Sequence, residues 1–481
     1  MTLGYEVVIG LEVHVQLATN AKIFSPEKND FGIDPNSDIS AVTIAHPGTL
    51  PVVNMKAIES GVKIGLAVDS RINRTMVFDR KNYFYPDLPK GYQITQDTTP
   101  ICSGGSIEVV KSDGSMLSVK LTKIHLEEDA GKSIHTEHDS KSFVDLNRSG
   151  VPLIEIVTDP VIRSSEEAML FLREIRKLVR HLGISNGNME EGSMRCDANI
   201  SLHRIGEPLG SKVEVKNMNS IRNVGRAIDY EIGRQHQMLD DGLSIVSETR
   251  TFNAENGSTS DMRTKEELND YRYFPDPDLS PIIIDDAWFE SIKAQMPRLP
   301  QAIKLELMQT YQLPEYDALF IAEDQLMVAY FKECVQYSNR YKSIANWMMG
   351  PIRSYLNDTS LEINQVAVDP KKLSEIIEFI DCGKLSYTAA SQELFPYLLK
   401  YESVEVFKAV ATLNLVQESN SEALQLLVDE VLAANPDKVK QYQNGRKGLV
   451  GMFMGQVMKK SGGKIDPKLT NKLIIESLKI C

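Results

Sequence analysis

Strict alternation of apolar and polar residues marks several short segments in the first 290 residues. In GLEVHVQL (10–17), the leucines and valines fall on one face of a strand, and Glu12, His14 and Gln16 fall on the other, because side chains alternate with a period of two. RCDANISLH and KVEVKN repeat the pattern further along the chain. Alternation that leaves one face polar favours an antiparallel sheet with one open face over a parallel sheet buried on both sides.

Two helices are predicted within this β-rich region. SSEEAMLFLREIRKLVRHLG opens with a capping-box spacing between Ser164 and Glu167 and ends at Gly183. The second helix is predicted from about Ser220 to Gly242.

Helical periodicity dominates after the proline-rich FPDPDLSP, and the polar segment VQESNSEA precedes a basic helical tail. The patterns therefore predict an α+β protein in three parts. These are a β-rich antiparallel domain with helices over residues 1–291, an all-α domain over 292–412 and a small helical tail domain over 413–481.

Composition places the chain among ordinary soluble proteins. Its 481 residues are 42% hydrophobic and 25% charged, and no apolar run approaches the ~18 residues of a membrane span. The start, MTLGYEVVIG, lacks the pattern of a secretory signal. Five cysteines lie far apart without a CxxC pair, which argues against a disulfide framework or a cysteine zinc site and indicates a cytoplasmic protein.

The net charge of −13 conceals an asymmetry along the chain. Residues 438–481 hold ten basic and two acidic residues, a net charge of +8, which leaves −21 for the rest. A compact basic module on an acidic body is typical of a protein that binds a phosphate backbone. A solubilising helical surface explains the same charges equally well.

The polar strand faces carry the candidate chemistry. If the strands meet in one sheet, its polar face gathers carboxylates, one imidazole and a few cations or amides: Glu12, His14, Glu127 or Glu128, Asp197, Asn199, Glu214, Lys216 and, from ETRTF, Arg250. Glu248 shares a face with Arg250, although Phe252 joins them. Like charges side by side on a sheet destabilise it, so this surplus calls for a cation. Oxygen ligands with one imidazole suit Mg²⁺ or Mn²⁺, and Mg²⁺ with few protein ligands implies a phosphate. A solvated strand face remains the alternative.

Several common catalytic motifs are absent. EDAGKS ends like a P-loop, but the glycine that GxxxxGK[ST] requires is Leu126 here. No GxGxxG opens a helix after a strand, and no HExxH or GxSxG occurs. His125, His135 and His138 match no ligand spacing, and we interpret them as surface or structural residues.

The segment FDRKNYFYPDLPKGYQITQ interleaves basic and aromatic residues. Such a mixture suits a single-stranded nucleic-acid end, whose bases stack on rings while its phosphates pair with cations. A proline-rich loop whose rings fill a core is the alternative, especially for Phe84 and Tyr85.

Long stretches of the chain resemble one known family. GLEVHVQL, FDRKNYFYPDLPKGYQI, HLEEDAGKS, VDLNRSGVPLIEIV, MEEGSMRCDANIS, KNMNS and DYRYFPDPDLSP resemble, in order, segments of the B subunits of bacterial aspartyl/glutamyl-tRNA amidotransferases. ANWMMG and NGRKGLVGMFMGQVMK resemble the helical and tail regions of the same family. The resemblance covers essentially the whole chain.

The resemblance implies a cytoplasmic ligase component of a heterotrimer. The family uses ATP and Mg²⁺ to phosphorylate the side-chain carboxylate of glutamate on tRNA(Gln) or aspartate on tRNA(Asn). Ammonia from the glutaminase, which is the A subunit, then displaces phosphate, and the small C subunit holds the other two together. The implied fold is a β-rich cradle that carries the active site, a helical domain and a tail that engages tRNA.

Carried over residue by residue, the resemblance implies five overlapping groups of site residues. The metal ligands are Glu12, His14, Glu127, Asp197, Glu214 and Glu248, with Glu128, Glu190 and Glu191 as substitutes for a neighbour. Asn199, Lys216 and Arg250 bind ATP phosphates or the acyl phosphate, and the residues closest to catalysis are Glu12, His14, Asp197 and Lys216. Arg80, Lys81 and Tyr83 bind the aminoacylated 3′ end. The tRNA body is bound by Arg446, Lys447, Lys459 and Lys460.

The sequence departs from the family at one point. Many members carry a Cys-x-x-Cys zinc motif just before the segment that matches HPGTLPVVN, but here that stretch is SDISAVTIAHPG (37–48). We therefore predict no zinc, and a loop held by packing or by His46.

Two other functions remain open. One is a tRNA-binding scaffold without ATP chemistry, which the acidic residues on every strand argue against. The other is a stand-alone Mg²⁺-dependent phosphoesterase, which the basic tail and the aromatic-basic segment argue against. The sequence does not say which of the two charged tRNAs is the substrate.

Overall fold

The computed structural model of the chain describes residues 4–135, 141–264, 271–359, 361–416, 421–461 and 467–480. The chain divides into two units, Met1–Leu299 and Pro300–Cys481. The predicted domain boundaries at 291 and 412 stay a prediction. No helix within the described ranges is long and apolar enough to cross a membrane.

The first unit is built around a ten-stranded sheet. Its strands are β1 (Tyr5–Gln16), β2 (Arg71–Ile72), β6 (Cys102–Ser103), β7 (Ser106–Val110), β8 (Met116–Glu128), β11 (Pro152–Thr158), β12 (Met194–Arg204), β13 (Val213–Lys216), β14 (Glu248–Asn253) and β15 (Ser258–Thr264). The order is β15-β14-β13-β12-β1-β11-β8-β6-β2, and β7 pairs with β8. The predicted mixed α+β class is confirmed.

Smaller strand pairs and helices complete this unit. The remaining strands are β3 (Thr75–Met76), β4 (Asp79–Asn82), β5 (Tyr92–Thr95), β9 (Lys132–His135), β10 (Ser142–Asp145), β16 (Phe274–Pro275) and β17 (Ile282–Ile283). The helices are α1 (Met55–Ala67), α2 (Ser165–His181), α3 (Ile221–Asp240) and α4 (Asp286–Ala294).

The sheet pairs antiparallel at every described junction except one. β13 and β14 run parallel, with Glu214 beside Thr249, and α3 connects them. Parallel neighbours need such a crossover connection, whereas antiparallel neighbours can be joined by a tight turn.

Helices cover one face of the sheet and leave the other polar. The apolar side chains of β1 alternate with polar ones and join a core that includes residues of α1, α2 and α3, such as Ile58, Phe171 and Ile228. Serine caps begin both predicted helices: Ser164 accepts from the backbone N–H of Glu167, and Ser220 caps α3 in the same way. The helices thus lie close to the predicted ranges.

Buried polar side chains hold the loop over residues 37–48, the stretch for which no zinc was predicted. The ammonium of Lys22 is buried and donates to the backbone oxygen of Asp38 (2.9 Å), while Thr43 donates to Glu27 (2.7 Å). His46 is exposed and its ring contacts the adjacent Pro47 oxygen, while its backbone N–H donates to Ala41 O (2.8 Å) and its carbonyl oxygen accepts from Thr49. The loop is therefore not held by His46 alone, and His46 takes part through its backbone.

The second unit is helical and contains two apolar clusters. Its helices are α5 (Pro300–Thr310), α6 (Glu315–Ala322), α7 (Gln325–Tyr337), α8 (Tyr341–Trp347), α9 (Arg353–Thr359), α10 (Pro370–Asp381), α11 (Tyr387–Ala389), α12 (Phe395–Lys400), α13 (Val406–Thr412), α14 (Ser421–Ala433), α15 (Pro436–Gln443), α16 (Val450–Lys460) and α17 (Pro467–Ile480). One cluster spans Ile303 to Leu415 and the other Leu424 to Leu478.

Candidate active site

Cross-strand pairing brings acidic and imidazole side chains together on the open face of the sheet. On β1, Glu12 pairs with Asp197 of β12. His14, two residues on, pairs with Glu155 of β11, and Glu155 pairs in turn with His125 of β8. Directly paired residues have Cβ atoms about 5 Å apart, so their charged groups lie within contact range.

The first cluster, here called the histidine triad, consists of His14, Glu127 and Glu155. Its three ligand atoms lie within 4.8 Å of one another. The Nε2 atom of His14 is 3.4 Å from Glu155 Oε2 and 3.6 Å from Glu127 Oε1. His125 contacts the triad from the neighbouring strand β8: its Nε2 atom lies 3.0 Å from Glu155 Oε2.

The second cluster, here called the carboxylate triad, consists of Glu12, Asp197 and Glu214, again with ligand atoms within 4.8 Å. Asn199 donates to Glu12 Oε1 (2.9 Å). Lys216 Nζ lies 2.5 Å from Asp197 and 3.2 Å from Glu214. The triad is thus held in place by an amide and an ammonium group.

The histidine triad and the neighbouring His125 together balance their charges. Burial alone would lower the pKa of His14, but the neighbouring carboxylates, Glu155 first, outweigh it and raise the pKa to about 9. The pKa of His125 rises to about 9 in the same way. Burial opposes ionisation of Glu155, yet the two imidazoles hold its pKa well below the usual range. With protein groups alone, both histidines are protonated at neutral pH.

The carboxylate triad carries an excess of negative charge. Burial raises the pKa of the Glu12 carboxyl, and the carboxylates of Glu155 and Glu214 raise it further. Burial opposes the charge on Lys216, but Asp197 and Glu214 raise its pKa above the ordinary value. One ammonium group therefore faces three carboxylates.

The two triads lie in the wall of a large cleft in the first unit. The cleft has a volume of about 1340 Å³ and is lined by residues from β1, β4, β8, β11, β12 and β13. Besides the triads, polar groups and rings face it: Gln16, Lys81, Tyr83, Asp129, Arg148, Glu190, Glu191, Arg195, Asn217 and Tyr271. The cleft is wide enough for a substrate larger than a metal ion.

The donor set fits a divalent cation that prefers oxygen. Across both triads there are five carboxylates and one imidazole, a combination that suits Mg²⁺ or Mn²⁺ better than zinc. The charge excess of the carboxylate triad points the same way, since closely spaced carboxylates need a compensating cation.

Glu248 and Arg250, predicted as a metal ligand and a phosphate-binding residue, lie outside this site. Thr249 occupies the position next to Glu214 and donates to its Oε2 atom (2.9 Å). Because side chains alternate, Glu248 and Arg250 point to the other face of the sheet. There they pair with each other at 2.8 Å, and Glu248 also contacts Arg234 of α3. We leave both residues out of the candidate site.

The adjacent carboxylates separate as alternation requires. Glu127 faces the cleft, whereas Glu128 is buried, where it pairs with Lys90 and accepts from the backbone N–H of Ile94. Glu190 and Glu191 line the rim of the cleft and belong to neither triad.

The residues predicted to bind the tRNA 3′ end divide between two surfaces. Lys81 and Tyr83 line the cleft, and the Lys81 ammonium lies 4.9 Å from the ring centroid of Tyr271. Arg80 does not line the cleft. Its guanidinium binds Asp276 (2.8 Å) and Asp278 (2.7 Å), so its charge is already paired.

The predicted tRNA-body residues belong to the second unit. Arg446 and Lys447 form the turn before α16, and the Lys447 ammonium lies 4.2 Å from the ring centroid of Tyr442. Lys459 and Lys460 end α16. Lys460 pairs with Glu430 at 2.6 Å on an exposed surface.

The polar residues of the site that were missed in the sequence include His125, Asp129, Glu155 and Arg195. His125 was interpreted as surface or structural, but it is buried beside the histidine triad. Its spacing of two from Glu127 was the available signal. Glu155 is the lone charge in PLIEIV, two residues from the apolar Leu153 that shares its face.

Two family models match the chain. Residues 7–290 match the one described as the GatB/GatE catalytic domain, and residues 329–478 match the one described as the GatB domain.

Similar proteins in several bacteria share one name, which describes the B subunit of aspartyl/glutamyl-tRNA(Asn/Gln) amidotransferase. The protein from Nitratidesulfovibrio vulgaris is 46% identical over 99% of both chains. The protein from Rickettsia africae is 44% identical over 98% of both chains. The protein from Thermodesulfovibrio yellowstonii is 43% identical over 99% of this chain and 100% of its own length.

Proposed function

Because the chain belongs to the family of aspartyl/glutamyl-tRNA(Asn/Gln) amidotransferase B subunits, we propose that it activates the side-chain carboxylate of a misacylated tRNA with ATP. Its substrate is glutamate on tRNA(Gln) or aspartate on tRNA(Asn), and the product is the corresponding amide. The observation that carries this proposal is the pair of adjacent triads in one cleft.

The reaction needs positioning and charge neutralisation more than a protein nucleophile. An oxygen of the substrate carboxylate forms a bond to the γ-phosphorus of ATP while the bond to the bridging oxygen breaks, and ADP leaves. Ammonia then attacks the acyl carbon, and phosphate departs with the former carboxylate oxygen. Neither step requires a covalent bond to this chain.

The two triads are suited to hold divalent cations against the phosphates. Bound Mg²⁺ supplies positive charge to the phosphate oxygens. His14, Glu127 and Glu155 would hold one cation, and Glu12, Asp197 and Glu214 would hold another. His125 and Asn199 orient these ligands through their contacts with Glu155 and Glu12. Such outer partners fix ligand geometry.

The remaining cleft residues suit the two large substrates. Lys216, which is already held beside the carboxylate triad, binds a phosphate oxygen of ATP or of the acyl phosphate. Lys81 and Tyr83, with Tyr271, offer a cation and rings to the terminal nucleotide of the tRNA. Arg446, Lys447, Lys459 and Lys460 contact the phosphate backbone of the tRNA body.

We further propose that ammonia comes from a glutaminase partner, the A subunit, and that the small C subunit completes the heterotrimer. The names of the relatives, which describe one of several subunits, support a multi-subunit complex. The sequence shows no nucleophile elbow for glutamine hydrolysis.

The test uses the purified chain with its partner subunits, ATP, Mg²⁺ and Glu-tRNA(Gln), and measures ADP release. We expect release that depends on the charged tRNA. We expect Asp197→Asn to abolish it while tRNA affinity stays within a few-fold. No release by the wild type would indicate a scaffold, and release without tRNA would indicate a general phosphohydrolase. Loss of tRNA binding in Asp197→Asn would show that the site is misplaced.

The source of ammonia is tested separately. We expect ammonium chloride to replace glutamine when the glutaminase partner is inactivated, because activation and amide formation require only free ammonia. Failure of ammonium to support amidation, while tRNA-dependent ADP release continues, would contradict amide formation on this chain.

A further inference from the structure

Arg195 and Asp129 form a charged pair at the edge of the cleft, outside both triads. The Nη2 atom of Arg195 donates to Asp129 Oδ2 at 2.8 Å. Asp129 is only 5% exposed, and the same oxygen accepts from Gln16 at 3.2 Å. Arg148 Nε lies 3.7 Å away. Asp129 therefore holds one end of the Arg195 guanidinium in a nearly buried network.

Only one nitrogen of the Arg195 guanidinium makes a hydrogen bond to a described residue. Its Nε and Nη1 groups make no hydrogen bond to any described residue, and a third of the side chain is exposed in the cleft. The guanidinium of Arg80, by contrast, is already paired with Asp276 and Asp278. Arg148, the other arginine of the cleft wall, donates to the backbone oxygens of the 130–131 turn.

Arg195 also stands next to both triads. It pairs across the strands with His14, and it shares a face of β12 with Asp197, two residues further on. A phosphate held by cations at the two triads would therefore lie beside this guanidinium. Guanidinium is planar and presents its N–H groups as a fork that matches phosphate oxygens.

We propose that Arg195 donates hydrogen bonds to the oxygens of the phosphoryl group during its transfer, and that Asp129 and Gln16 are positioning residues that aim it. The inference rests on the function proposed above. As the carboxylate oxygen bonds to the γ-phosphorus and the bridging oxygen departs with ADP, charge spreads over the three remaining oxygens. Arg195 stabilises that charge through Nε and Nη1, and no proton is transferred.

The role of Asp129 follows from its contacts. One of its oxygens accepts from both Gln16 and Arg195, and it belongs to neither triad. It follows Glu128 in EDAGKS, the segment that resembles the end of a P-loop. Here the segment acts on phosphate through a carboxylate that anchors an arginine, and not through a glycine-rich turn.

The experiment compares substitutions in the complete complex, with tRNA-dependent ADP release as the readout. We expect Arg195→Lys to lower kcat by about 100-fold or more, with a change in KM for ATP of only a few-fold, because the donors act mainly in the transition state. Asp129→Asn should lower kcat by about 10-fold. The double variant should be no slower than Arg195→Lys, because both residues act as one unit.

Chemical rescue and a matched control separate this role from a structural one. Arg195→Ala should recover part of its activity when methylguanidinium is added, and Arg163→Lys, an exposed pair with Glu6 outside the cleft, should retain full activity. Wild-type kcat in Arg195→Lys, or loss of activity with no rescue and a parallel loss of folded protein, would overturn the proposal. If the wild type itself releases no ADP, the proposed function fails and not this assignment alone.

Discussion

Glu214 and Glu248 lie on neighbouring strands, and their side chains point to opposite faces of the sheet. Glu214 joins the carboxylate triad, whereas Glu248 pairs with Arg234 and Arg250 on the face that α3 covers. At the scale of single residues, the face of the sheet to which each side chain points decides which carboxylates can share a cation.

A pair of isosteric substitutions tests that difference. We expect Glu214→Gln to lower tRNA-dependent ADP release by at least ~100-fold, because a lost metal ligand should cost no less than a lost outer partner. Higher Mg²⁺ should restore part of the activity. Glu248→Gln should keep activity within about three-fold, since it only weakens a structural pair. Equal losses in the two variants would contradict the assignment of faces.

Alternation within strands was enough to predict part of the site from the sequence. Glu12, His14 and Asp197 alternate with apolar residues along their strands, and all three lie in the cleft. The same rule misplaced Glu248 because the short strand ETRTF offers few residues to set its phase. Phe252 was the sign, since its ring lies in the core and Glu248 shares its face.

Pairing between strands could not be predicted in the same way. Glu155 meets His14 only because β11 lies next to β1 in one particular register. No local pattern encodes that register, which depends on contacts between segments more than 130 residues apart. Arg195 and Asp129 were missed for the same reason.

At the scale of elements, α3 is attached to β14 and β15 by a buried polar network. Glu231 of α3 is fully buried. Its carboxylate accepts from Arg234 (2.6 Å), Gln235 (2.9 Å) and Thr259 (3.2 Å). On β14, the Nε atom of Arg250 lies 3.7 Å from the same carboxylate. The helix that crosses between the two parallel strands is therefore fixed to the second of them by charge as well as by apolar packing.

This network predicts a large effect on stability. We expect Glu231→Gln to lower the free energy of unfolding by about 1.5–3 kcal/mol, because it weakens the charge-assisted hydrogen bonds of a fully buried carboxylate, while Arg234 keeps its pair with Glu248. Urea denaturation of the purified chain measures the change. Glu174→Gln, which breaks an exposed pair with Lys177 on α2, should cost less than ~1 kcal/mol. Similar losses in both variants would contradict a special role for the buried network.

Helix starts were predictable because their signals are local. Ser164 and Ser220 each accept a hydrogen bond from a backbone N–H three residues later, and the cap at Ser164 is the one that the sequence spacing predicted. The parallel pairing of β13 and β14 was not predictable, because four-residue and six-residue strands carry too little pattern to show direction.

At the scale of the whole molecule, the described cysteines differ in their exposure to solvent. Cys102, Cys196 and Cys334 are buried, and Cys382 is exposed. Burial raises the pKa of the Cys102 and Cys334 thiols to about 12. These thiols stabilise the fold fully below their ordinary pKa of 9.0, and the contribution is lost as the pH rises from there towards 12.

Alkylation of the folded chain should follow this division. At pH 8 we expect iodoacetamide to modify Cys382 quickly and Cys102 and Cys334 at least about 100-fold more slowly, because the buried thiols are closed to the reagent and burial keeps them protonated. Peptide mass spectrometry measures each site, and denaturant should equalise the rates. Cys102 labelling as fast as Cys382 would contradict the structure.

The order of strands in the sheet also constrains how the chain folds as it is synthesised. β1 is the first strand to be made and lies between β11 and β12 in the sheet, but β11 begins at Pro152 and β12 at Met194. At ~5–20 residues per second, roughly 10–35 s separate β1 from the completion of its pairing. β11 is complete before β12 begins, so β1 can pair on one side while its other edge is still open. The strand that supplies the first two triad residues therefore keeps a row of unpaired backbone N–H and C=O groups until β12 is made.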